Sequence, residues 1–178
     1  MIAAALIAGC SNQQAPSSSS TPSIPPQVVA SASAQEKNNV SMLSDSDTEV
    51  NRAIDKARAT VLDFLKVLGH PAADQTDFAV TKRCVGSDGQ KEDLWLTDLS
   101  YDGTVIHGVI DNEPEFVTSL HLGDAATVAP ADIIDWKYLD HNKLVGGYTI
   151  RAYYYEGTPD EKADILKQYT PDELVRNY

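Results

Sequence analysis

Residues 46–85 read SDTEVNRAIDKARATVLDFLKVLGHPAADQTDFAVTKRCV, and a change of hydrophobic period inside this stretch decides the fold class. Val50, Ile54, Ala57, Val61, Phe64, Leu65 and Leu68 recur at helical spacing, which gathers them into one stripe of an α-helix. Ser46-Asp47-Thr48-Glu49 has the spacing of a capping box, with a hydroxyl at the cap and a carboxylate three residues on. Gly69 and Pro71 end the helix. From Phe78 the period falls to two. Phe78, Val80, Lys82 and Cys84 alternate with Ala79, Thr81, Arg83 and Val85, the pattern of a half-buried strand.

Downstream the strand pattern repeats. Ser87-Asp88-Gly89 turns the chain, and residues 94–99 form the next strand, with Trp95 and Leu96 on opposite faces. Tyr101-Asp102-Gly103 is a hairpin signal, and residues 104–111 return antiparallel. Residues 125–129, 136–139 and 144–155 complete about six strands, with Pro114 and Pro130 as breaks. In the last of these, Tyr153-Tyr154-Tyr155 is expected to put rings on both faces. Thr158-Pro159-Asp160-Glu161 and Thr170-Pro171-Asp172-Glu173 each combine a capping Thr, a Pro at the first helical position and acids in the first turn, and so predict two short helices. The expected fold is therefore α+β: an N-terminal helix, an antiparallel sheet of about six strands for which barrel-like closure is an open alternative, and short C-terminal helices. A domain at residues 45–178 is long enough to bury a core without a metal or a disulfide framework.

The N-terminus reads as an address. Residues 1–9 are apolar but too few to span a bilayer, which takes about 20. They end in Leu6-Ile7-Ala8-Gly9-Cys10, which resembles the bacterial lipobox: an aliphatic residue, two small residues, then the cysteine that is lipidated. By that resemblance residues 1–9 are a lipoprotein signal peptide and Cys10 carries the acyl chains. No Lys or Arg precedes the apolar run, although export signals carry a positive n-region, so the signal is expected to be N-terminally truncated. Two or more chains give stable membrane attachment, at roughly 0.8 kcal/mol per buried methylene. Ser11 stands where an Asp would resemble an inner-membrane retention signal, which points to the outer membrane, facing the periplasm. Half of residues 11–34 are Ser or Pro, and none is aromatic. Residues 10–44 are accordingly expected to be a disordered tether with an end-to-end reach of roughly 30 to 35 Å.

Charge narrows the choice of partners. Glu36 and Lys37 cancel, so the whole net charge of −12 falls on residues 45–178. With no basic patch to offset it, such a surface repels nucleic acid, and no nucleic-acid partner is expected. With Cys10 assigned to lipid, Cys84 is left without a mate, and a small buried apolar role is expected for it.

Taken in order, Trp95-Leu96-x-Asp98-Leu99, Tyr101-Asp102-Gly103, Gly108-x-Ile110-Asp111-Asn112-Glu113-Pro114, Gly123-Asp124, Ile134-Asp135-Trp136 and Gly146-Gly147-Tyr148-Thr149-x-Arg151 resemble the bacterial domain-of-unknown-function family 2314, the YegJ-like proteins. The resemblance covers about residues 47–169. Each string is short; their succession is specific. The family often sits on small secreted or lipid-anchored proteins, which agrees with the N-terminus. It brings no catalytic residues to transfer.

The residues offer little recognisable chemistry. His70, His107, His121 and His141 are scattered without metal-ligand spacing, and no catalytic, cofactor or metal residue is assigned. His107 and Asp111 share a strand face but lie roughly 13 Å apart along it, too far for contact. In Asp111-Asn112-Glu113-Pro114 the acid and amide suit a turn. Trp136, Tyr148 and Arg151, with Asn112 and Glu113, make the expected binding surface, because aromatics beside Arg typify interfaces, although ordinary sheet cores have the same composition. The foremost expectation is a non-catalytic binding or interaction module, anchored to the membrane through Cys10 and engaging an envelope protein. Two alternatives stand beside it: an acidic inhibitor or immunity-type protein against a basic enzyme, and an enzyme with a site outside the known motifs.

Overall fold

A computed structural model describes residues 48–178. The signal peptide expected at residues 1–9, the lipidation expected at Cys10, the tether expected at 10–44 and the expected Ser46 cap therefore lie outside the described residues. Helix α1 (Thr48–Gly69) buries Val50, Ala53, Ile54, Ala57, Val61, Phe64 and Leu65. This is the apolar stripe of the sequence, with Leu68 packed at its margin.

Six antiparallel strands follow: β1 (Gln75–Val85), β2 (Lys91–Tyr101), β3 (Ile106–Ile110), β4 (Ala125–Val128), β5 (Ile133–Asp140) and β6 (Lys143–Gly146). Their order is β4-β3-β2-β1-β5-β6, so the hairpin β5–β6 returns to pair with β1, and the sheet is open with β4 and β6 as edges. Closure into a barrel would need those two edges to pair, and they do not.

Register assigns the two faces. Val80 stands between Leu96 and Trp136, and Thr81 between Trp95 and Asp135. Alternation then puts Val80, Leu96 and Trp136 on one face, and Trp95, Asp135 and Lys137 on the other. The first face carries α1. Phe64 stacks on Trp136 at 5.1 Å, Tyr138 stacks on Phe78 at 5.1 Å, and the Trp136 indole N–H donates to the Ala57 carbonyl at 3.0 Å. That bond satisfies the polar end of a ring buried for its apolar area.

The largest departure from expectation lies after β6. Residues 144–155 do not run on as one strand. Gly146 and Gly147 adopt left-handed φ values of 72° and 62°, which only glycine reaches without cost, and they turn the chain into helix α2 (Tyr148–Glu156). Tyr148, Arg151 and Ala152 are buried, a helical spacing. Helix α3 (Pro159–Ile165) begins at the Thr158–Glu161 capping box. The second Thr-Pro-Asp-Glu signal forms a capping box as well, but only a 3-10 turn, Pro171–Leu174. Four residues are too few to repay the cost of nucleating an α-helix. Among the described residues, no helix is long and apolar enough to cross a membrane.

Candidate functional site

The sheet face opposite α1 carries a cleft of about 360 Å³. Its floor is Ala79, Trp95 and Lys137, from three adjacent strands, and its walls are Ile150 and Tyr153 of α2, Ile165 of α3 and Tyr169. The central group is Lys137. Its ammonium donates to the Tyr169 hydroxyl at 3.0 Å and lies 5.3 Å from the Trp95 ring centroid and 5.7 Å from that of Tyr169, within cation–π range of both. Asp111, Asp164 and Gln168 add polar atoms at the margin. Burial, and secondarily the nearby Asp93, raises the Tyr153 phenol pKa, so this wall stays neutral.

What roofs the cleft is the placement of α2, and that rests on Asp135. This carboxylate is fully buried. It accepts from the backbone N–H groups of Trp136 (2.8 Å), Tyr148 (3.1 Å) and Thr149 (2.7 Å) and from the Thr149 hydroxyl (2.7 Å). Two of those N–H groups are orphan donors of the first turn of α2, so a side chain thirteen residues back caps the helix. Burial raises its pKa from 3.8 to about 6 against the pull of those four bonds. Glu92 acts similarly on a loop: buried, it accepts from the N–H groups of Glu115, Phe116 and Val117 at 2.8, 3.0 and 3.2 Å.

The binding surface expected around Trp136, Tyr148 and Arg151 is not formed, because all three are buried. Trp136 and Tyr148 meet edge to face at 5.6 Å in the α1 core. Arg151 turns its guanidinium onto the carbonyls of Gly146, Gly147 and Leu144, holding the β6–α2 turn. Asn112 accepts from the Trp95 N–H at 2.8 Å, a structural role, and Glu113 is exposed. His107 reaches Asp102 at 2.8 Å rather than Asp111. That bond, with the N–H groups of Val105 and Thr104, holds Asp102 at about 2. The half-buried Cys84 thiol is pushed up by burial, with Lys82 opposing, which keeps it from being a ready nucleophile at neutral pH. Its neighbour Arg83 is bound to Asp93 at 2.7 and 2.8 Å.

One cluster escaped the reading of the sequence. Asp74, Asp140 and His141 each present a ligand atom within 4.8 Å of the others. His141 Nδ1 meets Asp140 at 2.6 Å and Nε2 meets Asp74, so both ring nitrogens are already engaged. A cation would have to displace those contacts, and a protonated imidazole fits between two carboxylates without one. The cleft escaped as well. Its residues come from β1, β2, β5, α2, α3 and the following turn, and sequence spacing carries no record of that convergence.

Comparison with known proteins accords with the family-level reading. A family model described as "Uncharacterized protein conserved in bacteria" (domain of unknown function 2314) matches residues 47–170. The chain is 37% identical over 115 residues to the uncharacterized protein YegJ of Escherichia coli K12, covering 65% of this chain and 72% of that one. It is 32% identical over 129 residues to a Neisseria meningitidis serogroup B protein named as a candidate ankyrin repeat protein. There the match takes in 68% of this chain and 51% of the relative, so the chain spans about half that protein's length. No solved structure matches. With the family model spanning most of the chain and YegJ matched over most of its own length, the chain belongs to the bacterial domain-of-unknown-function family 2314.

Proposed function

We propose that this chain is a lipid-anchored envelope protein whose domain works as a non-catalytic binding module. The observation that carries the binding reading is the cleft: about 360 Å³, within the usual range for small-ligand sites, with aromatic and aliphatic walls and a few fixed polar groups. Its charged groups are held apart on separate elements rather than paired as nucleophile and base, an arrangement suited to orienting a ligand. The Leu6–Cys10 string supports the address, with lipid on Cys10 holding the domain at the outer membrane, facing the periplasm, near an envelope protein partner.

Cys10→Ser in the full chain should abolish acyl labelling and membrane retention; unchanged partition into membranes would end the lipoprotein reading. For the cleft, a dialysable envelope extract should raise the melting temperature of the wild-type chain by mass action. Trp95→Ala, shown folded by circular dichroism, should lose that rise. Steady consumption of a component of the extract by the wild-type protein would replace binding with catalysis.

A further inference from the structure

The cleft contains one positive and one negative group that the fold leaves without an opposite charge. Lys137 is half-buried, and its ammonium meets a hydroxyl and two rings. No carboxylate forms an ion pair with it among the described residues. Asp111 follows β3 and docks its backbone N–H on the Trp95 carbonyl at 2.9 Å. Its own carboxylate is exposed and has no hydrogen-bond or ion-pair partner among the described residues. The second acid of the cleft, Asp164, is engaged by Lys167 at 2.6 Å. Lys137, with its ammonium over the Trp95 ring, and Asp111, with its backbone bonded to the Trp95 carbonyl, thus line the same cleft.

Resting on the binding reading above, we propose that this cleft takes a small zwitterion of one or two amino-acid residues: its carboxylate at Lys137, its ammonium at Asp111, and an aliphatic side chain between Ile150, Tyr153 and Ile165. Each simpler ligand leaves a charge unanswered. An anion alone would face Asp111 and the field of a protein of net charge −12, which repels it. A cation alone would meet Lys137. A neutral sugar would bring no opposite charge to either group. The volume, about 360 Å³, lies at the low end for ligand sites and so limits the ligand to one or two residues.

The test titrates the full chain with L-leucine and glycyl-L-leucine, with the N-acetyl and the amide form of each, and with D-glucose. The readout is the fluorescence of Trp95, since the other tryptophan, Trp136, is shut in the core. At least one of the two zwitterions should bind, and blocking either of its charges should weaken binding roughly tenfold or more. Lys137→Met keeps a stem to lie on the rings, and it should erase the preference over the amide form. Asp111→Asn should erase the preference over the acetylated form. Both variants should melt like the wild type. Equal binding of charged and blocked forms, or tighter binding of glucose, would overturn the zwitterion while leaving a binding module. Binding of none of these probes would overturn the zwitterion too, and the envelope-extract experiment then decides the broader reading independently.

Discussion

Asp135 shows how far one side chain can set the geometry of a site. Its two oxygens accept four hydrogen bonds from groups on β5 and α2, in a position with no access to solvent. A buried carboxylate is tolerated only when its lone pairs are met in this way. Asp135→Asn keeps the shape but aims an NH2 group at donors, leaving buried N–H groups unanswered. The expected cost is about 3 kcal/mol or more, read as a fall in the denaturant midpoint. A loss below about 1 kcal/mol would mean that the cap is not what holds α2. Because α2 supplies Ile150 and Tyr153 to the cleft, the same variant should also lose ligand-induced stabilisation.

At the scale of elements, the β6–α2 junction carries the strongest constraint. A Cβ at Gly146 would run into the Trp136 carbonyl and ring, in a backbone already at φ 72°. Gly103 is also left-handed, at φ 96°, but a Cβ there meets nothing within 4 Å. The pair separates backbone strain from collision. Gly103→Ala should cost about 1 kcal/mol, the left-handed penalty alone. Gly146→Ala should add overpacking and reach about 3 kcal/mol. Thermal melts of the two variants give the comparison, and equal losses would show that the contact with Trp136 relaxes freely.

For the whole molecule, stability should be greatest on the acid side of neutrality. The folded state raises Asp135 from 3.8 to about 6, so it binds a proton more tightly than the unfolded chain does. The stability linked to that proton is full below about 3.8 and is lost as pH rises through about 6, as linkage requires. His141, bonded to Asp140 and facing Asp74, is raised above its ordinary 6.5. Its contribution is present below 6.5 and is lost as pH climbs through the raised value. Asp102 opposes both, because at about 2 it stabilises only above its ordinary range near 3.8 and fails in stronger acid. Melting temperature should therefore peak between about 4 and 6, the window these shifts set, and decline past neutrality. His141→Ala should flatten the alkaline part of that decline, and because its bond is also what lowers Asp140, it should soften the acid limb as well. A melting temperature that climbs steadily from pH 5 to 8 would contradict the assignment.

The sequence by itself determined the elements that local pattern encodes. The stripe from Val50 to Leu65, the alternation from Phe78 to Val85 and the Thr-Pro-Asp-Glu caps need only neighbours three, four or two residues away, and those neighbours are written side by side. They sufficed for the α+β class, and the order of short strings sufficed for the family. Tertiary structure decided the rest. Residues 148–156 are rich in Tyr, Thr and Ile, which favour strands, yet two left-handed glycines and the distant Asp135 carboxylate make them a helix. Tertiary capping overrides a propensity worth only tenths of a kcal/mol per residue. The same packing moved Trp136, Tyr148 and Arg151 from the expected surface into the interior. The cleft lies in the strand order β2-β1-β5, which brings Lys137 over Trp95 from 42 residues away in the chain. Strand pairing between remote segments is a property of the folded sheet, and nothing in the spacing of residues records it.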